Sequence, residues 1–98
     1  MAMTQEQITA LCSEIRIDNQ VPPYTPNDVI TRAISRCAAR LESLRPGADF
    51  VNDELGRGYL KEFVNYSMLH RGEEFMQNYR QDILAWQLSE EQEDDDEA

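Results

Sequence analysis

The sequence is short of nearly everything that catalysis and metal binding draw on. Its 98 residues include one histidine, two cysteines and four glycines. The lone His70 stands beside Arg71, and no serine or cysteine is paired with it by spacing. It reads as a helix-end or surface histidine. Cys12 and Cys37 are 25 positions apart, each among apolar neighbours at helical spacing, which predicts buried, reduced thiols rather than a disulfide or a metal pair. Gly56-Arg57-Gly58 lacks the glycine pattern and the Lys-Ser/Thr end of a phosphate-cradling loop, so these glycines are expected to permit a bend or a close backbone approach. Glu73, Glu74 and Asp82 read as solvated helix charges, because paired catalytic acids need a concave, partly desolvated site. The chain is therefore read as having no catalytic residue, cofactor or metal site, and not as an enzyme.

Long apolar runs are also missing. No stretch of eighteen apolar residues exists, and the opening MAMTQEQITA lacks the basic and apolar regions of a signal peptide, so synthesis in the cytoplasm and no membrane partner are expected. Cations are scarce: nine Lys and Arg face nineteen Asp and Glu, a net charge of −10. That balance argues against a general affinity for nucleic acid phosphates. Residues 89–98, SEEQEDDDEA, hold seven of the acids and no base, so the body without them carries only −3. Such a run cannot bury enough surface to offset its chain entropy and predicts a disordered acidic tail after a single helical domain at 1–88.

What the sequence does contain is helical periodicity. Thr4 and Gln7 form a possible capping box, and Ile8, Leu11, Cys12 and Ile15 recur on one face, predicting a first helix over about 5–16. Pro22, Pro23 and Pro26 then exclude a helix through IDNQVPPYTPND. Thr25 as cap, Pro26 at the first helical position and the Asp28 carboxylate reaching back predict a second helix over about 26–44. Val29, Ile30, Ala33, Ile34, Cys37, Ala38, Leu41 and Leu44 form its apolar stripe, and Arg45-Pro46-Gly47 ends it. An acidic start at Asn52-Asp53-Glu54 leads to a third helical pattern through Tyr59, Leu60, Phe63, Val64, Ser67 and Met68. A turn at Gly72 separates it from a fourth through Phe75, Met76, Tyr79, Ile83 and Trp86. With no sustained period-two alternation, the expected fold class is all-α, a small bundle of about four helices.

Two features point outward. Arg32, Arg36 and Arg40 fall four apart on the second helix, which sets three guanidinium groups in one row beside the apolar stripe. A row of cations on a mildly acidic body, with acids at Asp49, Asp53, Glu54, Glu62, Glu73 and Glu74, suits heterologous contact between copies. Most of the aromatics read as core, but Tyr66, one position off the main stripe, is the candidate for an interface.

The opening helix ending in Ile15-Arg16-Ile17-Asp18, the proline-led second helix, and the acidic turn before the Tyr-rich third segment Tyr59 to Arg71 form one pattern. With the closing Asn78-Tyr79 and Asp82-Ile83-Leu84-Ala85-Trp86-Gln87-Leu88, it resembles the small head-to-tail connector (adaptor, or head-completion) proteins of long-tailed bacteriophages. The likeness spans residues 5–88. It implies a four- or five-helix subunit of the virion that forms a ring, commonly of twelve, beneath the portal protein. Such a ring extends the DNA channel and joins the portal to a stopper or tail-completion protein, while DNA passes without specific binding. In that setting Arg32, Arg36, Arg40 and Tyr66 are the candidate subunit or portal contacts. The acidic run after Leu88 is not part of the pattern, and the resemblance assigns it no role. The other reading of the residues is a small acidic helical regulator or DNA mimic that occupies a basic site on a host protein.

Overall fold

A computed structural model describes residues 3–97, with side chains described for residues 3–88. Thr4 opens the first helix, α1 (Gln5–Asp18), with the expected capping box: its hydroxyl accepts from the Gln7 amide at 3.1 Å, and the Gln7 side chain accepts from the Thr4 amide at 2.9 Å. Two orphan amides are thereby satisfied reciprocally. The helix runs two residues past the expected end and closes in a Schellman turn. There Val21 N–H donates to Arg16 O at 3.0 Å, and Gln20 takes the left-handed conformation at φ 54°.

The proline segment is held by one side chain. Arg16 donates to Pro22 O at 3.0 Å, to Thr25 O at 2.7 Å and to Asn27 Oδ1 at 2.7 Å. This overturns the expected cap of the second helix. Pro26 is the N-cap of α2 (Asn27–Leu44), no side chain caps it, and Asp28 pairs with Arg32 instead of reaching back. With the Thr25 carbonyl and the Asn27 side chain drawn onto one guanidinium, the helix starts one residue later than Thr25 would have set it. At the far end Pro46 and Gly47, the latter at φ 82°, form the turn from which Ala48 N–H reaches Arg45 O at 3.1 Å. A side chain at that φ would be strained, which is why glycine sits there.

The apolar stripe of α2 buries Ile30, Ala33, Ile34, Cys37 and Leu41, while Val29, expected in it, is 44% exposed. Val29 lies at the edge of the stripe, one residue before the buried Ile30, where the helical period turns it outward. α3 (Glu54–Met68) is capped by Asp53, whose carboxylate accepts from Leu55 N–H at 3.2 Å. It lays Leu60, Phe63 and Val64 against the α2 stripe and against Phe75. Burial of such side chains contributes roughly 1.5–3 kcal/mol each. Both cysteines are free and buried; burial pushes the Cys37 thiol pKa up, against smaller opposing effects of Ser67 and Arg36.

The expected single C-terminal helix is two. α4 (Gly72–Asn78) and α5 (Arg80–Glu97) meet at Tyr79, and the bonds Tyr79 N–H to Phe75 O (2.9 Å) and Ile83 N–H to Tyr79 O (2.8 Å) bridge the break. Neither glycine nor proline marks the place. The tertiary demand does: Phe75 and Tyr79 stack at 4.7 Å beneath α3, while Ile83 and Trp86 turn into the core beside Phe50. The turn before α4 also departs from expectation. Its left-handed residue is His70 at φ 60°, with Arg71 N–H on Tyr66 O at 2.8 Å, and Gly72 is the first residue of α4. Among the described residues there is no strand, so the fold is all-α. The acidic tail expected at 89–98 lies outside the residues whose side chains are described.

Candidate interaction surface

The rise of an α-helix, 1.5 Å per residue, sets Arg32, Arg36 and Arg40 at steps of about 6 Å along α2. All three are exposed. Arg32 stands 3.5 Å from Asp28, with side chains 75% and 63% accessible, an arrangement that contributes little stability. Arg36 and Arg40 have no ion-pair partner among the described residues. An open groove of about 430 Å³ runs beside this row between α1 and α2, with Ile8 and Ser35 in its lining and Arg32 and Arg36 on its edge.

The structure does not bring Tyr66 to the arginine row. It is half-buried on α3, edge-on to Phe75 at 5.8 Å and to Tyr79 at 6.3 Å, and its hydroxyl accepts from Asn78 Nδ2 at 3.4 Å. His70 is exposed in the turn before α4. Among the described residues no group of three His, Cys, Asp or Glu is placed to hold a metal ion, and no helix is long and apolar enough to cross a membrane.

Several other cations cross to a neighbouring element, in contrast to the row, while Arg71 and Arg80 are exposed. Arg57 and Lys61 of α3 both reach Glu14 of α1, Lys61 at 2.8 Å, and Lys61 also pairs with Asp18. The Lys61 hydrogen bond holds the Glu14 carboxyl below its ordinary value; partial burial opposes that, and Arg57 adds to it. For Lys61, burial works against the charged form, but the bonds to Asp18 and Glu14 outweigh it and raise its pKa. A second cluster joins α2, α3 and α5. The Arg45 guanidinium lies 5.0 Å from the Trp86 ring centroid and 3.6 Å from Asp53, while Trp86 Nε1–H donates to Asp53 at 3.2 Å. Gln87 closes it by donating to Leu44 O at 2.6 Å. Neither cluster was visible in the sequence, because apart from Arg45 and Asp53 their partners lie 33 to 47 positions apart and leave no local spacing signal.

Comparison with protein-family models, with curated proteins and with solved structures finds no match. The reading of this surface therefore rests on its own geometry. The acids can be sorted in the same way. Asp49 is held in its loop by the amides of Asn52 and Val51, which lower its pKa, Asp53 caps α3, and Glu74 pairs with Arg71. Three of the six acids that could have answered the arginine row are thus engaged within their own chain.

Proposed function

We propose that this protein is a structural subunit that assembles head to tail through the arginine face of α2, as its likeness to phage head-to-tail connectors implies. In that role a ring of copies sits beneath the portal in the virion, extends the DNA channel and meets a stopper or tail-completion protein on its other side. The observation that carries the reading is the contrast within the cation set: Arg16, Arg45, Arg57, Lys61 and Arg71 are bound within the chain, whereas Arg36 and Arg40 stand exposed in one line without an acid, and Arg80 at the start of α5 is exposed but belongs to no row. A row that adds little to its own fold is available to a second molecule. The net charge supports the conduit role, since a lumen poor in free Lys and Arg lets a duplex slide without counterion release holding it in place.

The test is Arg36→Glu assayed by native mass spectrometry and electron microscopy with purified portal protein. Loss of rings on the portal is the expected result. Unchanged rings together with unchanged DNA retention would overturn the role of the row. A wild-type monomer that ignores portals and binds a host DNA-binding protein would replace the connector reading with that of an acidic regulator.

A further inference from the structure

Resting on the reading of the chain as a self-assembling subunit, we infer that the acceptor for the arginine row is a groove on α3 of a second copy, edged by Glu54 and Glu62 and notched at Gly58. This open groove of about 430 Å³ also carries Leu55 and Tyr59 on α3 and Asp18 at the end of α1. Among the described residues the exposed acids engaged neither in an ion pair nor by a backbone amide are Glu6, Glu54, Glu62, Glu73 and Asp82, and of these Glu54 and Glu62 share the groove. Lys61 lines it too, but Glu14 and Asp18 already answer that charge. Further acids lie near the two tyrosines of the groove. Burial first, and then the charges of Asp82 and Asp53, raise the Tyr59 pKa, and burial with Glu62 and Asp82 among its neighbours does the same for Tyr79.

The spacing matches. Glu54, Gly58 and Glu62 occupy positions i, i+4 and i+8 of α3, and Arg32, Arg36 and Arg40 occupy the same positions of α2. Each outer pair therefore lies about 12 Å apart along its helix. Ridges of residues four apart are the surfaces that interdigitate when two helices pack. The middle of the acidic ridge is empty. A Cβ built on Gly58 meets nothing within 4 Å, so nothing in the chain's own packing calls for this helix-weakening residue. The notch gives Arg36 of the facing copy room between the two carboxylates, its aliphatic stem against Leu55, which is 56% exposed, and its planar head near Tyr59. When the row of one copy seats in the groove of the next, whose own row engages a third copy, the contact is heterologous and repeats from copy to copy, as a ring requires.

Charge reversal on either face separates this contact from others. Arg32→Glu/Arg40→Glu and Glu54→Arg/Glu62→Arg, each alone, set like charges against each other and should weaken assembly at least tenfold, alone and on portals, in sedimentation and native mass spectrometry. An equimolar mixture of the two variants restores complementarity at every contact and should regain wild-type assembly. Gly58→Leu fills the notch while favouring the helix, so it should raise the melting temperature and still weaken assembly. Wild-type assembly by Glu54→Arg/Glu62→Arg or by Gly58→Leu, or a mixture that stays dissociated, overturns the groove as acceptor. If wild-type rings form on portals in that case, the ring-subunit reading survives. A wild-type chain that forms no rings on portals overturns that reading itself.

Discussion

Lys61 and Arg57 on α3 and Arg36 and Arg40 on α2 come from the same small set of cations, yet the fold treats them in opposite ways. The first two cross to α1 and close a half-buried ion cluster around Glu14, where Lys61 is only 20% accessible. The second two project from a helix whose opposite face supplies five core residues. Partial burial makes an ion pair contribute to stability, whereas full exposure leaves it screened and close to neutral. The lesson is that position in the fold, more than residue type, separates charges that hold this chain together from charges available to another molecule.

The sharpest way to break that contrast is to remove an inward contact and an outward one and compare unfolding. Trp86→Ala should cost about 3–5 kcal/mol in urea denaturation, because the ring is 2% exposed and also carries the Arg45 and Asp53 contacts. Next comes Arg16→Ala, which releases the proline loop from three oxygen acceptors; a loss of about 2 kcal/mol is expected by the same measurement. A loss near zero would show that the prolines alone hold the loop.

The two glycines of α3 sharpen the comparison by sign. A Cβ on Gly56 would lie 3.1 Å from Asp49 O and 3.3 Å from the Trp86 ring, the first a backbone atom in a hydrogen-bonded turn and the second a buried side chain. Overpacking of about 2 kcal/mol then outweighs the gain of about 1 kcal/mol in helix propensity, and Gly56→Ala should lower stability by about 1 kcal/mol. Gly58→Ala has only the gain and should raise the melting temperature. Equal effects at the two sites would remove the distinction between inner and outer faces of α3.

Acidity tests the ion cluster. The Glu14 carboxyl is held below its ordinary 4.5, so its contribution is present above that value and is lost as pH falls through the lowered one. Lys61, raised above 10.5, contributes below that value and loses its contribution as pH climbs through the raised one. Lys61→Met should therefore cost about 1 kcal/mol at neutral pH and flatten the loss of stability below pH 4.5 in acid titration followed by circular dichroism. An acid profile identical to wild type would mean that the cluster contributes nothing. The smallest effect is expected at Arg36→Ala, within about 0.5 kcal/mol in denaturation, even though assembly should fall. A large loss of stability there would place Arg36 in the fold and take it out of the interface.

Short-range chemistry made much of the fold legible. The Thr4–Gln7 box, the α2 stripe and the Pro46-Gly47 turn all depend on neighbours one to four positions apart, and all three stand in the structure. The failures fall where a distant residue competes. Arg16 draws off Thr25 and Asn27, so the strongest apparent cap does not form. Ring stacking around Tyr79 divides a periodic segment that no local signal interrupts. His70 and Gln20 adopt left-handed turns that glycine would take more easily, because the helices they end must reverse at those points. At the candidate surface the row Arg32, Arg36 and Arg40 was readable as periodicity, but its acceptor was not. Six acids were equivalent until the fold engaged Asp49, Asp53 and Glu74.

By itself the sequence determined that the chain is helical, where its second helix buries a stripe, and that three arginines share one line. Each follows from the 3.6-residue period and the backbone chemistry of proline and glycine. Only the tertiary structure decided which cations find partners and which of two nearby glycines is wedged against Trp86. It also decided that Glu54 and Glu62 flank an open notch at the pitch of the arginine row. Those outcomes depend on helices brought together from more than thirty positions apart, and no local pattern encodes the direction from which a neighbour will arrive.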